Sequence, residues 1–285
     1  MGSQDQSKTL PVIPSNRKDD LHNLEIADTA DLVLFVAGNQ FMVMEELIST
    51  FQARHAGVKN IYYETLPPGL ELKQILAGGA IFQDKVIDVL PDVYASVSEN
   101  AMKKLVEAGF IDDGDYQLYL HNRITLMVPE DNPAKIEKVT DLGRDDVRIS
   151  QPNPEYEDIA FHIMDMYRDA GGDELVRWIM EQKREEGTTI LTIVHHRETP
   201  LRIMKRTVDV GPVWATEIIN AKKNNLPIAE VEPGKDLDQR DKINYYITTL
   251  KKARNPENAQ KFIEFILSEE AQNIYEKYGF VPHRK

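Results

Sequence analysis

Apolar and polar positions follow two rhythms along the chain, and the clearest change of rhythm falls between residues 30 and 57. Leu32 to Val36 is an unbroken apolar run of strand length, the pattern of a strand covered on both faces. Ala37-Gly38-Asn39 interrupts it with small, turn-prone residues. From Met44 the spacing becomes helical. Met44, Leu47, Ile48 and Phe51 share one face, with Glu45, Glu46 and Gln52 largely off it, and Gly57 follows as a stop. A strand thus delivers a small-residue turn to a helix N-terminus. There the first backbone N–H groups lack partners and the helix dipole is positive. Open α/β sheets bind ligands, anions above all, at such places.

The same unit recurs. Asn60 to Thr65 reads as a strand, Leu66-Pro67-Pro68-Gly69 as a turn, and Leu70 to Leu76 as a helix ended by Gly78-Gly79. A short strand around Asp92 to Ala95 precedes a helix over Glu99 to Ala108, and Tyr119 to Val128 reads as one strong strand. In the second half, Val147 to Ser150 is a strand, Gln151-Pro152-Asn153-Pro154 a rigid turn, and Glu155 to Ala170 a helix stopped by Gly171-Gly172. A further helix spans Glu174 to Glu185 and a β-branched strand Thr188 to Val194, after which Thr199 reads as an N-cap with Pro200 at the first helical position. Val208 to Trp214 and Ile243 to Leu250 are strands, Ala215 opens a helix to about Ala221, and helices over Asn258 to Leu267 and Glu269 to Tyr278 close the chain. Strands alternating with helices predict parallel α/β sheets with right-handed crossovers. The expected architecture is two three-layer α/β lobes with a ligand cleft between them. Residues 1–28 read as a flexible tail, 29–121 plus 243–285 as lobe I and 122–242 as lobe II, with crossings in YLHNRITL and INYYITTL.

Composition narrows the function classes. The chain has 285 residues and a net charge of −13, which argues against a broad nucleic-acid or anionic-membrane surface. A local pocket can still take an anion. Cysteine is absent, which excludes disulfides, thiolate metal sites and cysteine nucleophiles. No apolar run approaches membrane-spanning length. The start has no signal-peptide pattern, and Met1-Gly2-Ser3 reads as an added start, which is compatible with removal of a natural leader.

Several stretches taken together resemble a known family: FVAGNQFMVMEELISTFQARHAGVK, LKQILAGGA after the LPPG turn, LPDVYASVSENAMKKL, LHNRITLMVPEDNP, VDVGPVWATE and NAQKFIEFILSEEAQNIYEKYGF. In this order they resemble class II periplasmic solute-binding proteins of ABC transporters (the periplasmic-binding-protein type II fold), nearest the molybdate-type oxyanion binders. The resemblance implies two lobes joined by hinge strands that close on a solute, a membrane permease as partner, an extracytoplasmic location, and no catalysis. It also carries positions over. Asn39, after Gly38, stands where the molybdate type has a donor serine, and Pro67-Pro68-Gly69 replaces its serine-rich turn. The small residue opening the lobe II helix falls near Tyr156, a backbone N–H donor near His196, and Trp214 replaces a tyrosine. Most hydroxyl donors of the family's site are thus replaced.

Each candidate has two readings. Asn39 offers an amide donor or a helix N-cap. Pro68 and Gly69 line the ligand with backbone or form a rigid turn. His195-His196-Arg197-Glu198 lies past a strand's carboxyl end. Arg197 offers a planar donor fork, His196 a donor or metal ligand, and Glu198 a cation ligand or a brace for Arg197; the alternative is a satisfied polar cluster at a helix start. Glu155 and Glu157 complement a helix dipole or ligate a cation, and Trp214 is a cleft wall or core. The leading expectation is a monomer that captures a small anion, without cofactor, for an ABC transporter permease. The second is a metal-cation or metal-complex binder using His195, His196, Glu198, Glu155 and Glu157. A ligand sensor reporting to a membrane receptor is a third. An enzyme is not expected: His196 with Glu198 could form a base pair, but no nucleophile motif, phosphate loop or HExxH pattern accompanies it.

Overall fold

The computed structural model describes residues 9–155, 157–193 and 198–284. The chain divides into two compact units. The first comprises Met1–Leu120, Asn244–Tyr275 and Pro282–Lys285, and the second His121–Ile243 and Glu276–Val281.

The first unit is built on a seven-stranded sheet. Its order is Val281–Pro282, Gln117–His121, Asn244–Thr249, Val93–Ser96, Leu32–Val36, Ile61–Glu64 and Leu21–His22. Leu32–Val36, buried along its whole length, runs parallel to both neighbours, Ile61–Glu64 and Val93–Ser96. The sheet is mixed, not purely parallel. Asn244–Thr249 pairs antiparallel with Val93–Ser96, and Leu21–His22 pairs antiparallel with Ile61–Glu64. Neither of these strands arrives through a βαβ crossover, so the rule that forces parallel pairing does not reach them.

Helices follow the three parallel strands. Phe41–Arg54 buries Val43, Met44, Leu47 and Phe51, and Phe51 packs edge-on to Phe262 of the Pro256–Ile266 helix at 5.2 Å between ring centroids. Pro68–Ala77 begins two residues before the expected Leu70, because Pro68 at the first helical position lacks an N–H and has φ preset for a helix. It ends at Gly78 in the left-handed conformation, φ 88°, with the N–H groups of Gly78 and Gly79 both reaching the Gln74 carbonyl. Glu99–Glu107 starts behind Ser98, whose hydroxyl accepts from Ala101 N.

Residues 9–28 are not a tail. Val12–Ile13 pairs parallel with Ala80–Phe82, which forms a hairpin with Lys85–Ile87. Ile13, Leu21, Leu66, Ala80, Phe82 and Ile87 make one buried cluster with Leu24 packed against it, and Ala27 joins a second cluster, so the segment is anchored by a few scattered apolar residues. Scattered residues of this kind in a polar stretch carry no clear periodicity, which is why the pattern does not announce them.

In the second unit, Ile124–Pro129 is the middle strand of an antiparallel trio with Gly211–Trp214 and Ile228–Val231. Ile149–Gln151 and Thr189–Leu191 form a parallel pair, and Ile149 bridges to Val210. The expected single strand over Tyr119 to Val128 is two strands, Gln117–His121 and Ile124–Pro129, broken where the chain passes between units. At the break, buried Asn122 accepts from Arg123 N through its own side chain, which competes with the ladder. The helix expected from Glu155 begins at Ile159 and runs to Arg177, with its helical dihedrals broken at Gly171 and Gly172. Met127, Ile203, Val208, Val213, Ile218, Ala221 and Ile228 form this unit's core cluster.

Candidate functional site

Three parallel strands of the first unit, Ile61–Glu64, Leu32–Val36 and Val93–Ser96, lie side by side and end at the same sheet edge. Each leads into a helix of nine residues or more, so three helix N-termini gather at that edge. The turns between strands and helices are tied to one another. Gly38 N donates to Leu66 O at 3.0 Å and Ala37 N to Ala95 O at 3.1 Å. Gly38 is required by proximity: a Cβ there would stand 2.7 Å from Thr65 O and 3.2 Å from Leu66 O, both backbone atoms.

Asn39 is half-buried beside Gly38, and its side-chain amide donates to the hydroxyl of Tyr245. Its Oδ1 is buried with no hydrogen-bond partner among the described residues. Asn39 is not the N-cap of the following helix, since a short 3-10 turn over Gly38–Gln40 precedes Phe41–Arg54 and Asn39 makes no cap bond. The next residue, Gln40, is fully buried, and its Oε1 accepts from the hydroxyls of Tyr119 and Tyr275, both at 2.9 Å. Pro68 is half-buried and Gly69 exposed in the first turn of their helix, where Pro68 O accepts from Tyr94 OH at 3.3 Å.

The second unit repeats the layout with two strands. Ile149–Gln151 and Thr189–Leu191 end together, and the turns after them are laced by side chains. Asn153 N donates to Thr192 Oγ1 at 3.1 Å, and Thr192 Oγ1 donates to Glu157. Glu155 and Glu157 precede the Ile159–Arg177 helix and do not lie in its first turn; Glu155 is exposed. Glu198 is the first residue of the Glu198–Met204 helix. Its Oε1 accepts from Ile193 N at 2.9 Å, and its Oε2 from Arg202 Nη2 at 2.8 Å. Thr199, expected as N-cap, already lies inside the helix, with its hydroxyl 2.9 Å from Ser150 Oγ. Trp214 is buried, 4% exposed, with its ring 6.2 Å from that of His162, whose pKa burial holds below its ordinary value. Tyr156, His195, His196 and Arg197 lie outside the described residues.

Two contributors escape a sequence reading. Arg202 donates to Ser150 Oγ, Ile190 O, Leu191 O and Glu198, which ties strand ends to helix. The Glu198–Arg202 spacing of one helical turn was the available signal. Ser96 and Ser98 form the third turn of the first unit's edge, where Ser98 N donates to Ser96 Oγ at 3.3 Å. Among the described residues no three His, Cys, Asp or Glu side chains come together as a metal site.

These edges and units define a mixed α/β protein of the two-lobe periplasmic-binding type, and comparison with known proteins agrees. The chain belongs to the bacterial extracellular solute-binding protein family, whose model matches residues 32–281. YvgL of Bacillus subtilis (strain 168), provisionally named as an ABC transporter substrate-binding lipoprotein, is 26% identical over 193 residues, which is 66% of each chain. The Azotobacter vinelandii periplasmic molybdate-binding protein superposes with a TM-score of 0.69 at 16% identity, over 89% of this chain and 100% of that one. Iron-bound HitA from Pseudomonas aeruginosa gives 0.66 at 17% identity, over 89% and 86%. The family is one of binding proteins, not enzymes. The shared fold spans cargoes as different as molybdate and iron.

Proposed function

We propose that this protein captures a small anion outside the cytoplasm, a molybdate- or tungstate-like oxyanion or another small anion, for an ABC transporter permease. The observation that supports this reading is the gathering of three helix N-termini at one sheet edge in the first unit. Such an edge offers backbone N–H groups and positive dipole ends to a negative ligand without needing a cation. Gly38, Asn39, Pro68 and Gly69 are the contact candidates of the first unit, and Tyr156, His196, Arg197, Glu198 and Trp214 those of the second. The YvgL likeness supports the transporter assignment, and the Azotobacter likeness supports an oxyanion.

Thermal shift against molybdate, tungstate, sulfate, phosphate and small carboxylates tests it. A ligand at a hundred times its Kd adds about 2.7 kcal/mol to the folded state, a shift of several degrees at most sizes. Native mass spectrometry of the purified protein should reveal a co-purified solute. Arg197→Ala should lose anion affinity with the fold intact. The HitA likeness favours a second reading, a metal cation or complex. Its signature is stabilisation by ferric iron, reversed by a chelator, with no response to any anion in the panel.

A further inference from the structure

Beneath the turn that joins Ile61–Glu64 to Pro68–Ala77 lies a group of buried side chains that anion capture does not itself call for. Glu64 ends the strand, Glu71 lies in the first turn of the helix, and Gln74 follows one turn later; all three are fully buried. Glu64 Oε1 accepts from Tyr62 OH at 2.5 Å and from Gln74 Nε2 at 3.0 Å. Glu71 Oε1 accepts from Leu66 N at 3.1 Å. Glu64 Oε2, Glu71 Oε2 and Gln74 Oε1 are buried without hydrogen-bond partners among the described residues. No ion pair reaches either carboxyl among those residues.

The groups around the pair supply no compensating cation. Tyr62 belongs to the same strand as Glu64. Asp20, from the 3-10 turn at the sheet edge, faces Glu71 and adds repulsion, and its own partner is Arg17 at 3.2 Å. Thr65 Oγ1 donates to Asp20 Oδ1 and lies 3.2 Å from His22 Nε2. Tyr94, two strands away on Val93–Ser96, points its hydroxyl at Pro68 O. Two carboxylates in such surroundings cannot both ionise cheaply. Burial and mutual repulsion raise Glu71 well above the carboxylate range, and burial pushes Glu64 up to about 7.

Glu71 also sits at the root of a hydrogen-bond chain. It holds Leu66 N, and Leu66 O holds Gly38 N. The two turns named as ligand contacts are thus braced by one side chain. We propose that Glu71 is a positioning residue for this anion-binding edge and that it does so as a neutral carboxylic acid, so that one proton held in the Glu64–Glu71 pair is part of the site. The proposal rests on the reading of the Gly38 and Pro68-Gly69 turns as ligand contacts. The neutral form has a second consequence. An ionised acid in a first turn occupies the positive end of its own helix. A protonated one leaves that end to the solute. Loss of the proton at alkaline pH makes Glu71 a stronger acceptor for Leu66 N but sets two buried negative charges against each other; their repulsion drives the carboxyls apart and opens the turn that Glu71 braces, and the new charge turns the helix end against an anion.

Amide hydrogen exchange on the full chain tests the brace without any ligand. Wild-type protection of Leu66 and Gly38, corrected for the intrinsic exchange rate, should fall at least tenfold between pH 6 and pH 9. In Glu71→Gln it should stay flat, because the amide oxygen still accepts from Leu66 N and cannot ionise. Equal pH dependence in both proteins, or none in the wild type, overturns the proposal. Should the variant not fold, carboxyl carbon NMR of the wild type decides: a glutamate still protonated above pH 7 is expected, and titration of every glutamate below pH 6 overturns it. A calorimetric arm with molybdate at pH 6 and 9 should show affinity lost in the wild type and kept in Glu71→Gln. Absence of molybdate binding at both pH values counts against the oxyanion reading, while the exchange data still judge the brace.

Discussion

The side-chain amide of Asn39 donates to the hydroxyl of Tyr245, 206 positions further along the chain. Asn39 stands in the turn after the first central strand, and Tyr245 is the second residue of the strand on which the chain re-enters the first unit. One hydrogen bond therefore fixes a candidate ligand donor against a strand that begins at a crossing.

Tyr245→Phe deletes that acceptor and keeps the ring. The Asn39 carboxamide already has an unpartnered Oδ1, so the change releases both of its ends. A lost hydrogen bond of this kind costs about 1 kcal/mol. The expected result is an anion affinity lower by roughly fivefold, with a thermal midpoint only slightly reduced. Isothermal titration with an anion that stabilises the wild type measures it; unchanged affinity would remove Asn39 from the ligand's surroundings.

Gly38→Ala should be more damaging. The added methyl meets the carbonyls of Thr65 and Leu66 at 2.7 and 3.2 Å, and neither can swing away as a side chain would. The Gly38 N to Leu66 O bond must lengthen or break. Overpacking of this sort costs about 1–3 kcal/mol. Urea unfolding should show that loss, together with abolished anion binding, since both turns shift at once.

How far the sequence foretells this edge depends on the kind of residue involved. Leu32 to Val36 is apolar throughout and is a fully buried strand with the expected bounds, and the closing helices start and stop within two residues of expectation. Long runs with one period leave little choice. The turn residues Gly38, Asn39, Pro68 and Gly69 are visible because turn chemistry is local. What holds them is not. Tyr119, Tyr245 and Tyr275 read as strand or helix core, and only pairing of distant segments brings their hydroxyls to Asn39 and Gln40. Glu71 falls inside the expected Leu70 to Leu76 helix, where nothing local marks it out. Its full burial follows from the strand on one side and from the 9–28 segment that the pattern mistakes for a tail.

The pH dependence of stability has a definite sign. Burial pushes the Glu64 carboxyl up to about 7, against an ordinary value of 4.5, while hydrogen bonds from Tyr62 and Gln74 pull the other way. The folded state thus keeps a proton that the unfolded chain releases. The stabilisation is complete below pH 4.5, falls as pH rises towards 7, and amounts to about 3 kcal/mol in all. Glu71, raised further, extends the decline above 7. Exposed carboxylates held low by arginine, such as Asp131 beside Arg206 and Asp146 beside Arg144, oppose this at acid pH but are screened by solvent. Urea midpoints should therefore be higher at pH 5.5 than at pH 8, and Glu64→Gln should flatten the difference. A midpoint that rises from 5.5 to 8 in the wild type contradicts the buried pair.

Arg202 anchors the second unit in a way that charge alone cannot supply. Its Nη1 donates to Ile190 O at 2.9 Å and Ser150 Oγ at 3.2 Å, and its Nη2 to Leu191 O at 3.0 Å and Glu198 Oε2 at 2.8 Å. The guanidinium is a rigid planar fork with five donors, and four acceptors here are disposed to match it. With the arginine side chain only 15% exposed, little water is available to replace those bonds. Arg202→Ala leaves two strand carbonyls and Glu198 short of a donor and should lower stability by about 2–4 kcal/mol. Arg202→Lys keeps the charge but presents a single ammonium on a flexible stem, which can reach Glu198 or the strand carbonyls but not both. Chemical denaturation should place Arg202→Lys nearer the alanine variant than the wild type. If lysine restored full stability, the strand carbonyls would contribute nothing and the Glu198 ion pair would carry the whole effect. Glu198→Gln separates those contributions, because it removes the pair while leaving both carbonyl bonds in place, and it should cost less than half of what Arg202→Ala costs.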